Sequence, residues 1–134
     1  PNNQLHRQYF PSHKGGKGNI LLAQVGEQPV HLAKDYQMLH IGTTPCGRYF
    51  VADGDRNKKG FMNIIIGSTQ TGRAIEVYQH PIHPDYSYSN WGQFGHAHAY
   101  LSPDYQWVVF NSCRSGKPEI YAAHIPANLL DELD

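Results

Sequence analysis

Two stretches of this chain repeat, and the repeats restrict its fold more than any other feature. His40 to Gly54 (HIGTTPCGRYFVADG) aligns with His98 to Ser112 (HAYLSPDYQWVVFNS) at an offset of 58, which lays His40 on His98 and Pro45 on Pro103. Phe10 to Ala23 (FPSHKGGKGNILLA) aligns with Phe110 to Ala123 (FNSCRSGKPEIYAA) at an offset of 100, matching a Phe, a Ser, a basic residue, a Gly-Lys pair, an Ile and the final Ala. Each copy of the first repeat reads as a short strand, a tight turn begun by Pro, and a second strand of β-branched and aromatic residues.

Further strands are expected at Phe61 to Ser68 and Ala74 to Gln79, joined by the turn Thr69-Gln70-Thr71-Gly72. Four strands then make one unit. Units of roughly 40 to 60 residues with turn residues at fixed places are the pattern of β-propeller blades. A β-sandwich or a meander also has short, evenly spaced strands, but neither has a reason to repeat a His-x(4)-Pro spacing. The expected fold class is therefore all-β, one partial propeller domain over residues 1–134. Residues 1–33 would supply the later strands of one blade, 38–80 a full blade, and 96–123 the early strands of the last. A closed propeller needs at least four blades, so the chain is expected to be the C-terminal two to three blades of a larger one.

Strands in a blade run alternately up and down, so the loop entering the first strand and the loop joining the second to the third open on one face. His40, His96 and His98 fall at or just before first strands. The second-to-third loops are residues 12–17, 54–60 and 112–117, all basic, with Arg56, Lys59, Arg114 and Lys117 as candidate contacts for carboxylates or phosphates. Eleven Lys and Arg balance eleven Asp and Glu over the whole chain. No global field therefore argues for nucleic acid or an anionic membrane, and a polyanion would be met by this local patch.

Gln93, His96 and His98, in the run Gln-Phe-Gly-His-Ala-His, put three possible metal ligands within six positions. Alternate side chains of a strand leave the same side, so the two imidazoles are expected to reach one point, and His40 holds the equivalent position one blade earlier. Imidazole suits Zn, Mn, Fe, Ni and Cu, whereas a Gln carbonyl oxygen leans toward Mn or another oxygen-tolerant divalent ion. The plainer reading is that a His-x-His pair bonds loop backbone. Cys46 and Cys113 form no Cys-x-x-Cys pair and are too few for a disulfide framework. No apolar run approaches the roughly 20 residues of a membrane span, and the segment from Pro126 onward is expected to form a short amphipathic helical turn.

Taken together, Gln93-Phe-Gly-His96-Ala-His98-Ala-Tyr-Leu-Ser-Pro-Asp, Trp107-Val-Val-Phe-Asn-Ser and Gly116-Lys-Pro-Glu-Ile-Tyr resemble the last blades of oligogalacturonate lyase. The resemblance implies a seven-bladed propeller, a cytoplasmic enzyme of pectin degradation, and Mn2+ held by three histidines and one glutamine, here His40, His96, His98 and Gln93. It implies β-elimination on oligogalacturonides, with the basic loops holding substrate carboxylates. The family's catalytic base would lie before residue 1, so no residue of this chain takes that role. The alternative is a noncatalytic propeller module that binds a peptide or protein partner.

Overall fold

A computed structural model of the chain describes residues 4–8, 18–54, 61–81 and 96–134. The strands are β1 (Gln4–Gln8), β2 (Ile20–Gln24), β3 (Val30–Leu32), β4 (Met38–Thr43), β5 (Tyr49–Gly54), β6 (Phe61–Ser68), β7 (Ala74–Pro81), β8 (Tyr100–Leu101), β9 (Trp107–Ser112) and β10 (Glu119–His124). A five-residue helix, α1 (Leu129–Leu133), follows. They form three sheets in sequential order, β1-β2-β3, β4-β5-β6-β7 and β8-β9-β10, and every pairing is antiparallel. Among the described residues no helix is long and apolar enough to cross a membrane.

The four-stranded sheet is covered on both faces, which explains why its middle strands read as apolar runs instead of strict alternations. Phe50 and Ala52 of β5 and Ile65 of β6 face one side with Met38 at the start of β4, packed with Ile20, Leu32 and Ala33 of the β1-β2-β3 layer and its connection. Val51, Met62, Ile64 and Ile66 face the other side and meet Val108, Phe110, Ile125 and Leu133. Ile64, Ile65 and Ile66 are all fully buried, and each contributes about 1.5–3 kcal/mol by leaving water. Asn19 ties the first layer to the second through both groups of Met38: its Nδ2 donates to the carbonyl at 2.7 Å, and its Oδ1 accepts from the amide at 2.8 Å.

The offset of 58 is a structural repeat as well as a textual one. Leu101 pairs with Val108 and Tyr100 with Val109, just as Thr43 pairs with Phe50 and Gly42 with Val51. In the β4–β5 turn the Thr44 amide donates to the Tyr49 carbonyl and Gly47 to Thr44; in the β8–β9 turn Ser102 donates to Trp107 and Tyr105 to Ser102. Gly47 and Tyr105 both take positive φ, 72° and 61°. The Thr44 and Ser102 hydroxyls accept from the amides of Tyr49 and Trp107. A hydroxyl at the head of the turn is thus what the two copies share, beyond their common Pro.

One expectation fails locally. Residues 96–98 precede β8 and are not strand, and His98 lies at φ 45°. Strand alternation is therefore not what aims the two imidazoles. The Asn111 amide donates to the Ala97 carbonyl at 2.8 Å, and the chain turns through a left-handed residue before pairing begins.

Candidate metal centre

The construction of the site starts at Gly54, the end of β5. A Cβ there would lie 2.6 Å from the Leu39 nitrogen and the Met38 Cα, and the residue sits at φ 151°, a combination open only to glycine. The bare backbone lets β4 press in, and the pairing register slips between Met38 and His40. A bulge of this kind re-aims the next side chain. Here it sets His40 opposite Asp53.

Asp53 is fully buried while the His40 side chain is 35% exposed. One carboxylate oxygen, Oδ1, accepts from His40 Nδ1 at 2.7 Å and from the His40 amide at 3.1 Å. The other, Oδ2, accepts from the amide of His98. A single carboxylate therefore holds the ring of one histidine in β4 and the backbone of another in the segment that leads into β8. A buried carboxylate left unpaired costs several kcal/mol, so all three contacts work to keep this geometry.

His40, His96 and His98 converge. Each offers one ring nitrogen, and the three lie within 4.8 Å of one another. Ring centroids are 4.0 Å apart for His40 and His98, 5.2 Å for His40 and His96, and 5.9 Å for His96 and His98. A metal–nitrogen bond of about 2.1 Å holds two nitrogens up to about 4.2 Å apart, so small ring rotations close the three donors on one ion. His96 is buried. With Nδ1 of His40 occupied by Asp53, Nε2 is the nitrogen left to face an ion, the arrangement in which metal-binding histidines are found. The residues fit a divalent transition-metal ion.

Gln93, Arg56 and Lys59 lie outside the described residues. Arg114 and Lys117 are exposed in the β9–β10 turn, which opens at the end of the sheet nearest Ala97 through the bond from Asn111. Lys117 already pairs with Glu119 at 3.2 Å. Ser115 first, then Lys117 and Tyr121, hold that carboxyl below the usual range.

Asp53 was not among the residues singled out by spacing. The signal was present: it is the one charged side chain in Tyr49-Phe-Val-Ala-Asp-Gly, and the offset of 58 lays it on Asn111, also polar inside a strand. A polar residue at the same strand position in both copies, fully buried in the first as Asp53 and partly buried in the second as Asn111, marks a place where something must be bonded.

No protein-family model and no curated protein matches the chain. Solved structures do resemble it, two oligogalacturonate lyases among them. An oligogalacturonate lyase in complex with manganese superimposes with a TM-score of 0.65 at 23% identity, covering 81% of this chain and 29% of that one. An oligogalacturonate lyase from Vibrio parahaemolyticus superimposes with a TM-score of 0.60 at 19% identity, covering 81% of this chain and 32% of that one. The chain shares its fold with about three-tenths of each lyase, and spans no more of their length than that.

Proposed function

We propose that this chain carries the metal-binding part of a polysaccharide lyase active site, acting on oligogalacturonides by β-elimination in pectin degradation, with its sheets as blades of a propeller. The observation that carries the reading is the convergence of His40 in β4 with His96 and His98 just before β8, on a fold shared with an oligogalacturonate lyase in complex with manganese. His40, His96 and His98 would hold the ion, with Gln93 proposed as the fourth ligand and Mn2+ as the metal. A divalent ion in such a site supplies Lewis acidity to a uronate carboxylate, which makes the neighbouring C5 proton removable.

The protein's own groups set the rest. Asp53 keeps the His40 ring in one tautomer and the His98 backbone in place. Arg114 stands in the exposed β9–β10 turn, where its planar donor fork suits a second uronate carboxylate. Elimination removes the C5 proton, breaks the bond from C4 to the glycosidic oxygen and leaves a C4–C5 double bond. No described residue is assigned as the base that takes the proton. The proposed setting is the cytoplasm.

Metal analysis tests the reading. The purified protein, loaded with Mn2+ and desalted, is expected to retain the ion, and the His96→Ala, His98→Ala double variant is expected to retain none. Equal metal content in the two would sink the metal reading and favour a module that binds a peptide or protein partner. Binding of digalacturonate to the metal-loaded protein, with little consumption of it because no base is assigned in this chain, tests the substrate separately.

A further inference from the structure

Asp53 makes three hydrogen bonds, and its geometry asks for more than a group that fills a polar hole. Both oxygens face N–H groups: Oδ1 faces His40 Nδ1 and the His40 amide, and Oδ2 faces the amide of His98. Among side chains of this length only a carboxylate accepts at both ends. An amide in its place would turn an NH2 group either toward His40 or toward His98. In the first case His40 could keep a bond only by accepting at Nδ1, which moves its proton to Nε2, the nitrogen left to bind an ion. In the second case the His98 amide loses this acceptor, and the left-handed turn at φ 45° loses one of the bonds that hold it.

We infer that Asp53 is the positioning residue of the site: it fixes His40 as the tautomer with a bare Nε2 and holds the backbone of His98, so that the ligand in β4 meets those just before β8. The inference rests on the metal reading above. Its buried negative charge also offsets that of a bound cation, which three neutral imidazoles do not. A carboxylate behind a ligating imidazole typically matters 10–100-fold for metal affinity by way of ring orientation and basicity.

Two measurements test this. The first is the 15N spectrum of the His40 ring in the metal-free wild type at about pH 8, where imidazoles are ordinarily neutral. Protonated Nδ1 and bare Nε2 are expected, and the opposite tautomer overturns the role of Asp53 whether or not a metal binds. The second is Mn2+ affinity, read from the EPR signal of the free ion, for wild type and Asp53→Asn, alongside thermal melting of both without metal. The variant is expected to bind roughly 10–100-fold more weakly while still melting cooperatively. Affinity within about threefold of wild type overturns the inference. If Asp53→Asn does not fold, the tautomer of the wild type decides alone. A wild type with the expected tautomer that binds no metal ion overturns the proposed function instead.

Discussion

Cys46 is exposed in the β4–β5 turn, with its Sγ 3.4 Å from the Thr44 hydroxyl and 3.5 Å from the Tyr105 hydroxyl. Those contacts, Thr44 first, bring the thiol down from 9.0 to about 7, because both hydroxyls donate more strongly to a thiolate than to a thiol. The thiolate is the nucleophile, so alkylation of Cys46 should rise with pH to a midpoint near 7. Thr44→Val should move that midpoint up toward 9.0. Cys113 is buried, and burial raises its thiol, so it should react far more slowly in the same sample. A Cys46 midpoint that ignores Thr44→Val would refute the assignment. At this scale the sequence exposed side chains by type and spacing, which is why His40, His96 and His98 were legible. Asp53 was not, because its partners are a ring 13 residues away and an amide 45 residues away, and no local pattern encodes those contacts.

Strand bounds, by contrast, were readable almost to the residue. Phe61–Ser68 is β6 as expected, and the strand expected over Ala74 to Gln79 runs two residues further, to Pro81. Apolar and β-branched runs between turn residues determine such elements locally. The bulge in β4 was invisible, since it comes from close contact between Gly54 and the backbone of Met38 and Leu39, and a glycine at a strand end reads only as a turn. That contact gives an element-scale prediction. Gly54→Ala puts a methyl group against backbone atoms 2.6 Å away and should cost about 1–3 kcal/mol in overpacking and strain. The same substitution should push β4 outward and carry His40 away from Asp53. Urea denaturation measures the first effect and Mn2+ binding the second. A variant that loses stability but binds Mn2+ normally would show that the bulge does not aim His40. Gly67 makes a comparison: a Cβ there would meet the Phe50 ring at 2.2 Å, opposite Phe50 and three residues along β5 from Asp53. Gly67→Ala should therefore lower stability and leave metal affinity alone.

At the scale of the whole molecule, β5 fastens the central sheet to the third one at both of its ends. Asp53, near the end of the strand, holds His98; Tyr49, at its start, holds Asp134 beyond α1. The Tyr49 hydroxyl donates to Asp134 Oδ2 at 2.5 Å, Arg48 pairs with the same oxygen at 2.5 Å, and Ser68 donates to Oδ1 at 3.1 Å. The Tyr49 bond, with help from Arg48 and Ser68, holds the Asp134 carboxyl below its usual range. Burial, and then the Asp134 carboxylate, push the Tyr49 phenol from 10.0 up to about 12. The two shifts act on opposite flanks of the stability profile. A carboxyl whose folded pKa is depressed contributes stability that is present above its ordinary 3.8 and is lost as pH falls through the folded value. A phenol whose folded pKa is raised contributes stability that is present below 10.0 and is lost as pH rises through about 12. Thermal melts across pH should therefore show an acid decline and an alkaline decline that share one residue. Asp134→Asn should remove its component of the acid decline and make the alkaline one shallower without abolishing it, because burial of Tyr49 still raises the phenol. Tyr49→Phe should remove that alkaline component and weaken the acid one. Arg48 is half exposed, and such a pair contributes little by itself, so Arg48→Ala should change either flank least. If Asp134→Asn leaves both flanks where they were, the clamp at the start of β5 does not hold the third sheet, and the polar ties that remain are Asp53 at the site and the Cys46–Tyr105 and Thr71–Leu133 contacts away from it.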